Sequence, residues 1–141
     1  MNNNVYTQLF AQYNNFSECL LLDYWSENFC RTFILLIDSI WDASGKMRPD
    51  LDIVEPISLV FEQCRLISID NSLSQEIFDQ PFTWGLNEFS TIKVQSVGAD
   101  LFQFRVSWED DRKIEIVCKN LYLRPTPLTV EMKEKYRDFF S

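Results

Sequence analysis

The chain has 141 residues and a net charge of −8, and it contains no histidine. Its 46% hydrophobic and 24% charged residues are typical of a globular domain, and a chain of this length buries enough surface to form one core. The lack of histidine excludes Ser-His-Asp and Cys-His nucleophiles, an imidazole base and histidine metal ligands. We therefore predict a single domain over residues 1–141, with residues 1–4 frayed.

The charge is unevenly distributed along the chain. From residue 112 to the end there are seven basic and four acidic residues, a balance of +3, so residues 1–111 carry −11. An acidic surface repels nucleic-acid phosphates and anionic lipids and attracts basic proteins. We therefore expect a basic protein partner, no nucleic acid and no membrane; the alternative is that the charge serves only solubility.

The N-terminal segment and the cysteines indicate a cytoplasmic location. Residues 1–16 contain neither a basic residue nor a long apolar stretch, so no secretory signal is predicted. The apolar run Phe33–Ile37 is far shorter than the roughly 20 residues of a membrane span. The four cysteines, Cys19, Cys30, Cys64 and Cys118, have no CxxC spacing, which favours free thiols in the core over disulfides or a zinc site.

Apolar periodicity predicts a helix and then strands in the first half of the chain. Val5, Leu9, Phe10 and Tyr13 would share one face of a helix over 5–13. Two apolar strands, 19–25 and 29–41, would then form a hairpin around a turn at Ser26–Asn28. The second strand is apolar on both faces, which is typical of a strand covered on both sides. A solvated loop over 42–55 and strands near 57–61 and 66–70 follow.

The second half of the chain predicts further antiparallel strands and a final helix. A helical turn capped by Ser72 leads into a loop over 78–89, and strands are expected near 92–94, 102–108, 114–118 and 121–123. Between the last two strands the apolar positions slip by one residue, which predicts a bulge near Lys119 and Asn120. The acidic run 109–111 indicates a hairpin turn rather than a cation site, and an apolar stripe predicts a helix over 128–140.

The predicted fold class is therefore α+β and mainly antiparallel β. About seven strands would form a sheet or a sandwich, with a short N-terminal helix and a C-terminal helix. The chain contains only three glycines, all isolated, so it cannot form a phosphate-binding loop, and we expect no cofactor and no metal. The many carboxylates leave a small carboxylate-dependent hydrolase or metal-dependent enzyme as an alternative to a binding protein. An interaction or structural domain without further chemistry is another.

The loop over 78–89 is the predicted partner-binding site, because it combines aromatic and acidic residues with Pro81 and Gly85 and has no basic residue. Aromatic residues ringed by acids suit the binding of a basic protein. The predicted binding residues are Glu76, Asp79, Phe82, Trp84 and Glu88. The alternative is that the aromatic residues turn inward and cover the open end of a sheet.

The succession of strands over residues 17–124 resembles small bacterial immunity-type proteins of polymorphic and contact-dependent toxin systems. The resemblance lies in the long aliphatic hairpin, the segment Pro56-Ile57-Ser58-Leu59-Val60-Phe61 and the closing strand Ile114–Leu121. It implies a cytoplasmic inhibitor that binds a cognate toxin, often a basic nuclease, and blocks it without chemistry of its own.

Overall fold

The computed structural model describes residues 4–17, 19–38, 56–80, 88–127, 129–131 and 134. In chain order its elements are α1 (Asn4–Ala11), β1 (Cys19–Glu27), β2 (Thr32–Asp38), β3 (Ile57–Glu62), β4 (Leu66–Asp70), α2 (Gln75–Phe78), β5 (Glu88–Phe89), β6 (Thr91–Gly98), β7 (Leu101–Ser107), β8 (Lys113–Cys118) and β9 (Asn120–Pro125). Eight of the described strands have five or more residues, and β5 has two. The prediction of a mainly antiparallel β fold is confirmed.

The strands form two antiparallel sheets. A five-stranded sheet has the order β5-β1-β2-β3-β9, and a four-stranded sheet has the order β4-β8-β7-β6. Short turns join three of the pairs, β1 with β2, β6 with β7 and β7 with β8, as expected for antiparallel sheets. The sheets share one hydrophobic core, and the rings of Phe61 in β3 and Phe104 in β7 meet across it at 5.2 Å. The chain is therefore a β-sandwich over this range.

The alternation of apolar residues determines which face of each strand enters the core. On β7, Phe102, Phe104 and Val106 are buried and the residues between them are more exposed. The period of two therefore predicted this strand correctly. The inward residues of the other long strands repeat the pattern, and they include Phe33, Leu35 and Ile37 of β2, Ile57, Leu59 and Phe61 of β3, and Ile114 and Ile116 of β8.

Strand β2 is buried on both faces, as its sequence predicts. Leu35 and Leu36 point to opposite faces of the sheet, and both are 0% exposed. The polar residues Asp38 and Ser58 are also buried, and Ser58 hydrogen-bonds Thr126 through their hydroxyl oxygens at 2.6 Å. The predicted loop over 42–55 lies outside the described residues.

Helix α1 covers part of the core with aromatic rings. The Tyr6 ring lies 4.8 Å from that of Phe102, and the Phe10 ring lies 5.2 Å from that of Phe16 in the short turn that follows the helix. The predicted apolar face is wrong at Val5, which is exposed because the neighbouring Tyr6 is the residue that packs against Phe102 and Phe104. Asn4 belongs to the helix rather than to a frayed end, while residues 1–3 lie outside the described residues.

Two predicted turns lie elsewhere in the structure. The hairpin between β1 and β2 turns at residues 28–31 rather than at Ser26–Asn28, because Glu27 still pairs with Thr32. Helix α2 is capped by Ser74, whose hydroxyl accepts a hydrogen bond from the Ile77 N–H at 3.3 Å. Ser72, the predicted cap, instead donates to the carboxylate of Asp70.

The slip of apolar positions near Lys119 marks a change of sheet and not a bulge within one strand. Strand β8 ends at Cys118 in the four-stranded sheet, and β9 begins at Asn120 in the five-stranded sheet. Because the inward direction reverses between facing sheets, the apolar positions shift by one. A helix is expected over 128–140. Only residues 129–131 and 134 of this range are described, so most of the expected helix lies outside the described residues.

Candidate functional site

The structure describes only part of the predicted partner-binding site. Glu76 lies in α2 and Asp79 follows it, and both are exposed. The backbone of Glu88 pairs with Leu20 at the edge of β1, so the predicted loop ends in a short strand. Phe82 and Trp84 lie outside the described residues.

Apolar side chains accompany these acids on the surface. Phe78, at the end of α2, is 69% exposed, and Leu73 just before the helix is also exposed. Asp79 is held near the helix by a hydrogen bond from the Gln75 side-chain amide at 2.8 Å. Phe89 turns inward and packs against Trp108, with 6.0 Å between the rings. The aromatic residues of the predicted loop therefore do not all face the same way.

A cavity of about 200 Å³ lies close to this segment, where β1 approaches the ends of β4 and β7 and the start of β8. We call it the edge cavity. Its lining residues are Leu21, Leu22, Asp23, Tyr24, Asp70, Asn71, Trp108, Arg112 and Ile114. A bulge at Leu22 in β1 sets the positions of Asp23 and Tyr24, because the pairing with β2 shifts between Leu21 and Asp23.

One wall of the edge cavity is built by the turn between β7 and β8. The Arg112 guanidinium lies 5.2 Å from the centre of the Trp108 ring and donates to both carboxylate oxygens of Asp110, at 2.7 and 3.0 Å. These hydrogen bonds hold the pKa of Asp110 below its usual range. Asp110 therefore balances the charge of Arg112, and the turn contributes little net charge to the cavity.

The Trp108 side chain in this wall has a buried N–H group that makes no hydrogen bond to the described residues. Trp108 is 8% exposed, and its indole Nε1–H has no hydrogen-bond partner within the part of the chain that the structure describes. A buried donor without an acceptor costs about 1 to 3 kcal/mol.

Two carboxylates face the same cavity from the two sheets. Asp70, at the end of β4, accepts hydrogen bonds from the Ser72 hydroxyl at 2.6 Å and the Ser72 N–H at 3.0 Å, and these bonds lower its pKa. Asp23 of β1 accepts from the Tyr24 N–H at 2.8 Å. Lys113, opposite Asp70 on β8, also lowers the pKa of Asp70. Asp70 is therefore ionised at neutral pH and contributes negative charge to the lining of the cavity.

The sequence does not single out this constellation, although it contains signals of it. Asp23 is a charge directly after the apolar run of β1, and Arg112 follows three acids in a hairpin turn. What the sequence lacks is the contact between sheets that places Asp23 near Asp70. Among the described residues, no three Cys, Asp or Glu side chains cluster as a metal site would require. The same range holds no helix with the length and apolar character for crossing a membrane.

Comparison with known proteins identifies the fold but no family. No protein-family model matches the chain, and no curated protein matches it. The structure is similar to the crystal structure of an uncharacterised protein from Neisseria gonorrhoeae, with a TM-score of 0.50 and 10% identity, over 77% of this chain and 92% of that chain. At this identity the likeness shows a shared fold.

Proposed function

We propose that the protein is a non-enzymatic binding module, and that its edge cavity receives a lysine or arginine side chain of a basic protein partner. The observation that carries the proposal is that Asp23 and Asp70, one from each sheet, line a single cavity together with Trp108. A basic residue of a bound chain suits this lining, because its cation pairs with the ionised carboxylate of Asp70 and is attracted by that of Asp23.

The surface beside the cavity extends the same chemistry. The chain continues from Asp70 into the exposed residues Leu73, Glu76, Phe78 and Asp79. Interfaces commonly combine an aromatic anchor with a polar rim. These four exposed residues and the edge cavity together form one proposed binding region around the end of β4.

The size of the cavity favours binding over catalysis. Ligand pockets commonly hold about 300 to 1,000 Å³, whereas the edge cavity holds about 200 Å³, which suits one side chain better than a sugar or a nucleotide. The alternative of a carboxylate-dependent hydrolase draws on Asp23 and Asp70 in one cavity. The lowered pKa of Asp70 suits it poorly to the role of general acid, which needs a raised pKa. Cleavage of a chromogenic glycoside or ester that is lost in Asp70→Asn would favour the hydrolase.

The proposal is tested by NMR titration with a short lysine- and arginine-rich peptide, with a glutamate-rich peptide of equal length as the control. We expect the basic peptide to shift the indole N–H resonance of Trp108 and the amide resonances around Asp23 and Asp70. The acidic peptide should leave them unchanged. A Trp108 resonance that stays still while the peptide binds elsewhere would contradict the assignment of the site.

Two charge-neutralising variants separate local from general electrostatics. Asp70→Asn should weaken binding of the basic peptide about tenfold, equivalent to about 1.4 kcal/mol. Asp100→Asn removes the same charge from the exposed turn between β6 and β7, where asparagine is well tolerated, and should change affinity less than about twofold. If both variants weakened binding of the basic peptide equally, the effect would come from the net charge of the protein and not from the edge cavity.

We further propose that the basic partner is a toxin, in keeping with the resemblance to immunity-type proteins. The charge of −11 on residues 1–111 supports this, because acidic inhibitors gain association rate through electrostatic steering. Co-expression with the product of the adjacent upstream gene provides the test. Protection of the host cells by the wild-type chain, reduced in Asp70→Asn, is the expected outcome, and a harmless neighbour product would count against a toxin partner.

A further inference from the structure

Two cysteines lie in the two connections that cross from one sheet to the other. Cys64 belongs to the connection from β3 to β4, and Cys118 ends β8 just before the chain crosses to β9. Since β3 pairs with β9 and β4 pairs with β8, the two crossings run side by side. Cys64 and Cys118 are therefore neighbours, although they are far apart in sequence.

Backbone hydrogen bonds define how closely the crossings are joined. The Lys119 N–H donates to the Glu62 carbonyl at 3.2 Å, and the Arg65 N–H donates to the Val117 carbonyl at 2.7 Å. Between these two bonds, residues 63 and 64 oppose Cys118 alone, which is the arrangement of a β-bulge. Gln63 has the left-handed φ of 54° that the first residue of such a bulge adopts in its glycine-bearing form. The bulge places the Cys64 side chain against that of Cys118.

The two thiols differ in exposure and in acidity. Cys118 is fully buried, whereas Cys64 is half-buried and reachable from solvent. The Cys64 thiol donates to the Phe61 carbonyl at 3.4 Å and the Cys118 thiol to the Asn120 carbonyl at 3.5 Å. The interaction between the two thiols lowers the pKa of Cys64, and the same interaction together with burial raises the pKa of Cys118. An accessible thiol that ionises readily beside a shielded thiol is the usual arrangement of a redox-active cysteine pair.

We propose that Cys64 and Cys118 are an oxidisable dithiol, a modification site at which hydrogen peroxide or an organic hydroperoxide converts the two free thiols to an intramolecular disulfide. The Cys64 thiolate attacks the peroxide, so that an S–O bond forms and the O–O bond breaks, and the leaving oxygen takes a proton to become water or an alcohol. The Cys118 sulfur then attacks the Cys64 sulfenic acid. The S–S bond forms as the S–O bond breaks, and water leaves with the Cys118 proton.

The disulfide would join the two inter-sheet crossings covalently. Cross-linking residues that are distant in sequence restricts the unfolded chain and stabilises the fold where the native geometry accommodates the bond. Directly opposed residues of antiparallel strands lie at separations that a disulfide can span. Oxidation should therefore raise the thermal midpoint and slow opening of the sandwich at this end.

The test treats the full chain with hydrogen peroxide and maps its peptides without reduction. We expect the protein to lose two hydrogen atoms and a cross-linked peptide pair containing Cys64 and Cys118 to appear, reversed by a dithiol reductant. Cys30→Ser is the matched control, because Cys30 is exposed and lies outside the crossings, and its oxidation should follow that of the wild-type chain. Cross-links through Cys30, or overoxidised Cys64 without a cross-link, would overturn the proposal.

Two further variants distinguish the roles of the thiols. In Cys118→Ala, Cys64 should stop at the sulfenic acid, detectable with a dimedone probe. It should also be alkylated more slowly near neutral pH, because it has lost the neighbouring thiol that lowers its pKa. In Cys64→Ser, Cys118 should resist the oxidant because it is buried. Because Cys64 is only half-buried, Cys64→Ser should fold and can identify the attacking thiol even if Cys118→Ala folds poorly. Oxidation of Cys118 in Cys64→Ser at the wild-type rate would show that Cys64 is not the attacking thiol.

Discussion

The Asp110 carboxylate pairs with Arg112 in the wall of the edge cavity, and this ion pair makes the stability of the fold depend on pH. Both side chains are mostly buried, at 16% and 10% exposure, and Arg112 holds the pKa of Asp110 low. A carboxyl group whose folded pKa lies below its unfolded value stabilises the fold above that unfolded value. This contribution is lost as the pH falls through the folded pKa.

We therefore expect Asp110→Asn to lose about 2 kcal/mol of unfolding free energy near neutral pH, since it breaks charged hydrogen bonds to Arg112. The difference from the wild-type chain should shrink at about pH 2, well below the ordinary aspartate pKa of about 3.9. Urea denaturation at both pH values provides the measurement. Asp111→Asn, which changes an exposed neighbour, should stay within about 0.5 kcal/mol of the wild-type chain, and an equal loss at both pH values would exclude the ion pair as the cause.

The hydrogen-bond partners and neighbours of the side chains in the site are harder to predict from the sequence than the strands that carry them. The alternation of β7 correctly predicts that Trp108 faces the core, but it contains no information about an acceptor for the indole N–H. Likewise, Asp23 and Asp70 belong to strands of different sheets, and only the packing of the sheets makes them line one cavity. The exposure of Glu76 and Asp79 can be predicted from their charge, because exposed charges need no tertiary partner, and their role in binding stays a prediction.

At the scale of elements, the hairpin between β1 and β2 turns through three consecutive residues in the left-handed region. Asn28, Phe29 and Cys30 have φ values of 52°, 58° and 67°. Asparagine tolerates this conformation, whereas other residues with a Cβ lose roughly 1 to 2 kcal/mol. The Phe29 ring is fully exposed, so it offers no packing in return.

Phe29→Gly is therefore expected to stabilise the chain by about 0.5 to 1 kcal/mol, because the relief of backbone strain exceeds the extra entropy that glycine adds to the unfolded state. Chemical denaturation measures the change. Asn28→Gly is the control, and it should give no gain, since asparagine already fits and its amide donates to the Thr32 hydroxyl at 3.2 Å. A loss of stability in Phe29→Gly would mean that the ring makes contacts that support the fold.

The same hairpin explains why element boundaries were harder to predict than the strands. Left-handed turns are commonly signalled by glycine, and residues 28–31 contain none. The apolar Phe29 therefore extends the predicted strand into the turn. The change of sheet at Lys119 has a similar cause, because a slip of one apolar position has the same sequence pattern whether the strand bulges or crosses. Strand β4, bounded by clear polar residues, was predicted at Leu66–Asp70 as observed.

At the scale of the whole molecule, the charges separate between surfaces. The outward face of the four-stranded sheet brings Lys93 and Arg105 opposite each other on β6 and β7, and Glu115 of β8 pairs with Arg105 at 3.3 Å and with Lys113 at 3.8 Å. The edge cavity is lined by Asp23 and Asp70, and Asp70 also lies opposite Lys113 at the margin of the two surfaces. A basic partner should therefore approach the edge of the sandwich rather than the outer face of this sheet.

The two sheets also differ in how they are covered, and this difference can be measured. Leu35 and Leu36 lie on opposite faces of β2 and are both fully buried, so Leu35→Ala and Leu36→Ala should each cost about 2 to 5 kcal/mol of unfolding free energy. The corresponding neighbours in β8 are Ile116, which is buried, and Val117, which is partly exposed on the outward face. Ile116→Ala should therefore be costly, while Val117→Ala should cost less than about 1 kcal/mol. Equilibrium denaturation of the four variants is the test: a Leu36→Ala loss as small as that of Val117→Ala would mean that the five-stranded sheet has only one buried face.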